Sequence, residues 1–204
     1  MKNKIPIPTL LTIAAILTLS SCASIPKNAK PVADFHVQRY LGTWYEIARF
    51  DFRFEKNLDN TTAQYSLAEN GNVKVLNSGY NYKTKEWKSA IGIAKFRGDE
   101  NIAALKVSFF GPFYSGYNVI AIGSNYEYAL IAGKSLDYLW ILSRKKSIPD
   151  EVKSNYIKMA KDLGYDTSKL IWVKQDKKNP FISEQISVFW IKLDLRLDWG
   201  IDTG

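Results

Sequence analysis

Three side chains in this chain of 204 residues carry chemistry of their own: the thiol of Cys22, the imidazole of His36 and the carboxylate of Glu46. Cys22 is the sole cysteine and His36 the sole histidine. One thiol cannot close an internal disulfide, and one Cys with one His cannot build a metal cluster. The sequence holds no Ser-His-Asp pattern, zinc motif or phosphate-binding loop. His36 precedes the first predicted strand and is expected on the surface. What is left is attachment through the thiol, or acid–base work by a lone carboxylate such as Glu46. The expectation is a non-enzyme with no catalytic residue, no cofactor and no metal.

The setting of Cys22 gives its thiol a purpose. Lys2 and Lys4 make a positive start, and Leu10–Leu19 is an apolar run of ten residues, too short to span a bilayer. Leu19-Ser20-Ser21-Cys22 then looks like a bacterial lipobox, in which the thiol receives a diacylglycerol. Residues 1–21 are read as a lipoprotein signal peptide, and residues 22–34 as the acylated Cys and its tether. Acyl chains contribute about 0.8 kcal/mol per buried methylene, so such an anchor holds firmly. Ala23 follows where an Asp is absent, which by resemblance to Gram-negative lipoproteins implies the outer membrane, on its periplasmic side. Residues 23–33 carry two Pro among small and polar residues and are expected to be extended and semi-flexible. Eleven residues reach at most about 36–40 Å.

The elements that follow are short and alternating. Strands are predicted at Thr43–Phe54, Thr61–Glu69, Asn72–Tyr82, Trp87–Arg97, Ala103–Phe110, Gly116–Ile122, Tyr126–Ala132 and Tyr138–Ser143. Glu69-Asn70-Gly71-Asn72, Arg97-Gly98-Asp99-Glu100 and Gly133-Lys134-Ser135 supply turns between them. This pattern fits a sandwich or an up-and-down barrel and does not separate the two. After Arg144 the period changes. Val152, Tyr156, Met159, Ala160 and Leu163 form one apolar stripe on a helix from about Pro149, with Gly164 as its stop. Lys169–Val173 reads as a ninth strand.

Gly42-Thr43-Trp44-Tyr45 near the start and Arg144 after the eighth strand resemble the signature of the lipocalin family. Phe109-Phe110-Gly111-Pro112-Phe113-Tyr114 and Tyr117-Asn118-Val119-Ile120-Ala121 extend the likeness to its bacterial lipoprotein members. The resemblance covers residues 35–174 and implies an all-β fold: an eight-stranded antiparallel up-and-down barrel with one C-terminal α-helix packed outside. It makes Gly42, Trp44 and Arg144 a structural plug, with the guanidinium across the indole. Such contacts contribute about 0.5–2 kcal/mol.

The likeness also implies a cavity lined by Tyr114 and Trp140. Strand alternation then sends Trp44, Glu46, Ala48 and Phe50 inward together, along with Tyr65, Asn77, Ala94 and Phe96. Glu46, buried near the base, would need a partner such as Arg144 or a tyrosine. The expected ligand-binding set is Tyr114, Trp140, Phe50, Ala48, Tyr65, Asn77, Ala94 and Phe96. Relatives of this type imply a fatty acid or lysophospholipid ligand and a part in envelope lipid storage, transport or maintenance.

Composition agrees with a greasy interior, since 46% of residues are hydrophobic and 14% aromatic. The formal charge is +8, falling to +6 once Lys2 and Lys4 leave with the signal peptide. Lys is dispersed, and no nucleic-acid-binding pattern is present, so no nucleic-acid partner is expected. Two other readings stay open: a structural or partner-binding lipoprotein with a filled barrel, and an enzyme working through Glu46. Residues 175–204 form an extension of unknown role. An amphipathic helix is the preferred expectation for it, able to cross the barrel, meet the membrane or join a second copy as a homodimer.

Overall fold

A computed structural model describes residues 24–182. Its strands are β1 (Gly42–Arg49), β2 (Leu58–Leu67), β3 (Val73–Asn81), β4 (Glu86–Phe96), β5 (Ala104–Phe110), β6 (Phe113–Ile122), β7 (Tyr128–Ala132), β8 (Leu139–Ser143) and a short β9 (Ile171–Trp172). Helix α1 (Val37–Tyr40) precedes β1 and helix α2 (Asp150–Asp162) follows β8. Each of β2 to β7 pairs antiparallel with its successor, and β1 pairs with β8, β2 and the short β9. The sheet is therefore a closed barrel of eight strands, which leaves no long free edge.

The barrel wall separates two apolar layers. The inner one gathers Phe35, Tyr40, Trp44, Tyr65, Val75 and Leu142 with their neighbours. The outer one lies beneath α2, where Tyr156 and Ala160 pack with Ile47, Ala48, Leu130, Leu139 and Ile141. Met159, placed on the stripe by its spacing, is exposed instead. The helix stops where Gly164 takes φ +93°, a conformation that side-chain-bearing residues rarely adopt. Tyr165 N–H then donates to Ala160 O and Gly164 N–H to Lys161 O, which satisfies two orphan carbonyls.

β1 departs from its expected course. It is predicted to run to Phe54 but ends at Arg49, and a bulge lies between Glu46 and Ala48. The bulge inserts one residue opposite β8, so Glu46 faces Leu142, whereas Ala48 faces Ile141 and Arg49 faces Trp140. A one-residue slip exchanges the two faces of a strand. Trp44 and Glu46 point inward as expected. Ala48 and Phe50 do not: both belong to the outer layer, and Phe50 meets the Tyr165 ring at 5.8 Å.

Beyond Tyr45 the β1–β2 ladder ends, and the chain after α2 closes the gap. β9 pairs with Ala48 and Arg49. Val173 N–H donates to Ile47 O, and Asn60 N–H to Lys174 O. The Gln175 amide donates to Glu46 O on β1 and Thr61 O on β2. Asn179 then reaches the hydroxyls of Thr62 and Ser78 on the outer face. The first residues of the extension thus lie along the outer wall. The helix expected within residues 175–204 falls largely outside the described residues, as do Cys22 and the signal peptide.

Residues 24–33 also depart from the expected extended linker. Val32 N–H donates to Val119 O, and its carbonyl accepts from Ala103 N–H. Ala29 is buried, and Ser24 O accepts from the Asn118 side chain at 2.9 Å. This segment is laid along the barrel wall, which shortens its reach far below the free-chain limit.

Candidate ligand-binding cavity

The closed end of the barrel is sealed by the predicted pair. Gly42 enters β1 with φ +92°, and the Arg144 guanidinium carbon stands 3.9 Å from the centre of the Trp44 ring. Trp44 is fully buried and donates its indole N–H to Tyr40 O at 2.8 Å. Arg144 donates to the carbonyls of Thr43, Arg39 and Tyr126. All its polar groups are directed at backbone, so its part is structural. His36 is exposed just before α1, where its backbone N–H donates to the Tyr126 hydroxyl at 2.9 Å.

Above this plug lies a cavity of about 1060 Å³. That is just above the usual range for small-molecule sites, about 300–1,000 Å³. Its floor is a chain of hydroxyls: Tyr117 lies between Tyr40 at 2.6 Å and Tyr65 at 2.7 Å. Burial pushes all three phenols above their ordinary range, so they stay neutral. Val75, Ala90, Ala94, Val107 and Phe109 make the walls. Gly92 leaves the space that the Phe109 ring fills, since a Cβ there would stand 2.8 Å from that ring.

One side of the cavity is polar. Glu46 and Glu55 line it, and the inward-turned Arg49 lies behind them. Arg49 Nε is 3.5 Å from Glu46 Oε1 and 3.4 Å from Glu55 Oε2. Arg49 also donates to the carbonyls of Glu55 and Leu58, and Trp140 donates its indole N–H to Glu55 at 3.1 Å. Arg49, rather than Arg144 or a tyrosine, is the partner Glu46 needs. Two carboxylates share one cation here. Burial, together with the Glu55 charge, raises the Glu46 carboxyl well above the usual range. Burial raises Glu55 to about 7, against the opposing pull of Trp140 and Arg49.

Of the residues expected to bind ligand, Trp140, Tyr65, Asn77 and Ala94 line the cavity. Phe96 faces inward below it, 6.3 Å from Phe35 in the sealed base. Ala48 and Phe50 are outside the wall, for the reason given above. Tyr114 borders the mouth, but its ring lies near the ammonium groups of Lys95 and Lys106, at 5.8 and 5.2 Å. Those lysines alternate with the inward Ala94 and Val107, which puts the Tyr114 ring on the outer side.

Sequence reasoning did not single out Phe52, Glu55 or the aromatic rim. Phe52 meets Trp140 edge-on at 5.5 Å, and Phe54 lies 5.8 Å from Phe110 across the mouth. The alternation of aromatics in Phe50-Asp51-Phe52-Arg53-Phe54 was the available signal. Such alternation fits a strand by its period, but residues 50–57 form the loop between β1 and β2.

The family described as Lipocalin-like domain matches residues 35–175. Outer membrane lipoprotein Blc of Citrobacter freundii is 50% identical over 171 residues, covering 84% of this chain and 97% of that relative. The protein of the same name from Escherichia coli strain K12 is 49% identical with the same coverage. Insecticyanin from the tobacco hornworm Manduca sexta superposes with a TM-score of 0.59 at 24% identity, covering 78% of this chain and 86% of that one. A likeness at that identity speaks to the fold alone. The closed barrel, the Trp44–Arg144 plug and these relatives agree: the chain belongs to the lipocalin family.

Proposed function

We propose that the protein is a membrane-anchored carrier that holds the acyl chain of a fatty acid or lysophospholipid in its barrel. The observation that carries this reading is the apolar cavity of about 1060 Å³ above the tyrosine floor. A hydrocarbon chain placed there leaves water, at about 25 cal/mol per Å² of apolar surface before the costs of association. The polar edge formed by Glu46, Glu55 and Trp140 lies on the β1–β8 side, where it can meet a head group. The relatives named outer membrane lipoprotein Blc support the same location for this chain, with acylated Cys22 as the anchor on the periplasmic side and a role in envelope lipid handling.

The filled-barrel alternative requires side chains to occupy this volume, and the open cavity favours the carrier instead. A displacement titration with an acyl-chain fluorophore tests the choice on the chain freed of residues 1–22. Saturable binding, reversed by monoacyl lipids, is the expected result. A barrel that takes up no probe, and yields no lipid to organic extraction, would sink the reading.

A further inference from the structure

Large apolar side chains are unevenly exposed on this barrel. Phe113 is 81% exposed, Phe110 64% and Phe54 56%, and all three lie around the open mouth. Phe110 pairs with Phe113 at the tip of the β5–β6 hairpin, and Phe54 touches Phe110. Water-facing aromatics gathered at one end need a partner surface. Arg53, Lys88 and Lys134 line the mouth, and Lys83 and Lys85 stand in the β3–β4 turn at the same end, but surface charge alone does not choose the partner.

The N-terminal segment chooses it. It runs along β6 from Val32, bonded to Val119, to Ser24, bonded to Asn118. Ser24 O also lies over Gly116, where a Cβ would collide with it at 1.9 Å, so glycine is what lets the segment lie flat. The direction is from the sealed end toward the mouth. Gly116 is three residues from Phe113 along β6, about 10 Å at strand spacing. Cys22 is two residues beyond Ser24, within about 7 Å of it. The described chain therefore begins nearer the mouth than the sealed end, and an acyl group carried by Cys22 starts within that short reach of Ser24.

We propose that the barrel docks mouth-down on a lipid bilayer, with Phe54, Phe110 and Phe113 entering the boundary between head groups and acyl chains. Phenyl rings and flanking cations suit that zone. A docked mouth lets an acyl chain pass between leaflet and cavity without crossing water. The proposal rests on the anchored-carrier reading for the acyl group at Cys22, and adds the orientation.

The test uses the full lipidated chain in vesicles of phosphatidylethanolamine and phosphatidylglycerol that carry nitroxide-labelled lipid. A fluorophore is attached to Phe113→Cys at the mouth or to Leu67→Cys near the sealed end, where Leu67 is 41% exposed. The native thiol is acylated, and mass analysis of the N-terminal peptide checks this independently. Docking predicts quenching at position 113 about threefold or more above that at position 67, because quenching falls steeply with distance from the membrane. Equal quenching at both positions, or stronger quenching at 67, overturns the orientation. So does quenching at neither, with the label at 113 shielded inside a dimer, which would assign the rim to a second copy. Acylation and acyl-probe binding that persist in a failed test leave the carrier reading standing and remove the orientation alone.

Discussion

Arg49 and Trp140 oppose each other on the β1–β8 ladder, and both face the barrel interior. The bulge between Glu46 and Ala48 makes this so, because it advances the alternation of β1 by one residue. A cation is thereby delivered to two carboxylates, and Trp140 caps one of them. The polar edge of the cavity follows from one inserted residue.

Trp140 touches Phe52 and Glu55 and lines the cavity. Trp140→Ala is expected to weaken an acyl-chain fluorophore roughly tenfold, or about 1.4 kcal/mol, while the barrel remains folded. Fluorescence titration with circular dichroism as the fold control checks it. An unchanged affinity would place the ligand elsewhere in the barrel.

The two buried carboxyls make stability depend on pH in an unusual direction. Their folded values are raised, to about 7 for Glu55, above the ordinary 4.5. Between those values the folded chain holds more protons than the unfolded one. The Glu55 contribution is therefore fully present below about pH 4.5 and is lost as pH rises through about 7, and Glu46 acts in the same direction. Thermal melts from pH 5 to pH 8 should show a falling Tm, with a shallower fall in Glu55→Gln. Matching slopes in the two proteins would rule out Glu55 as the source.

Arg144→Ala removes the contact with Trp44 and leaves three backbone carbonyls without their donor. A loss of about 2–3 kcal/mol is expected. Arg144→Lys should recover only part of it, since an ammonium lacks the planar fork. Urea unfolding compares the three proteins, and a full rescue by Lys would show that charge alone suffices.

Gln175→Ala should cost about 1–3 kcal/mol, because the amide bridges Glu46 O and Thr61 O where β1 and β2 part. Hydrogen exchange at β1 and β2 amides gives the local reading. Protection unchanged there would mean that β9 closes the wall without help.

The cavity was legible where strand alternation ran undisturbed. Alternation groups Tyr65, Asn77 and Ala94 each with the residues two positions away, and places Trp140 on the side of Arg144; all four line the cavity. Ala48 and Phe50 failed the same count because a bulge intervened. A bulge is defined by two residues opposing one, so its place is set by the pairing of two strands rather than by either sequence alone.

By itself the sequence determined the succession of short strands and the helix with its stop at Gly164, through short-range periods and glycine's freedom at positive φ. The barrel order and the sealing pair Trp44 and Arg144 were legible only through the resemblance to the lipocalin family. Only the tertiary structure decided that Arg49 turns inward, that the Tyr114 ring lies outside, and that residues 24–33 and 173–179 lie along the wall. The first outcome follows from the bulge in β1 and the second from the lysines on the outer face, whereas the wall segments depend on polar groups left unpaired by distant strands. Hydrogen bonding must satisfy them wherever the chain happens to pass.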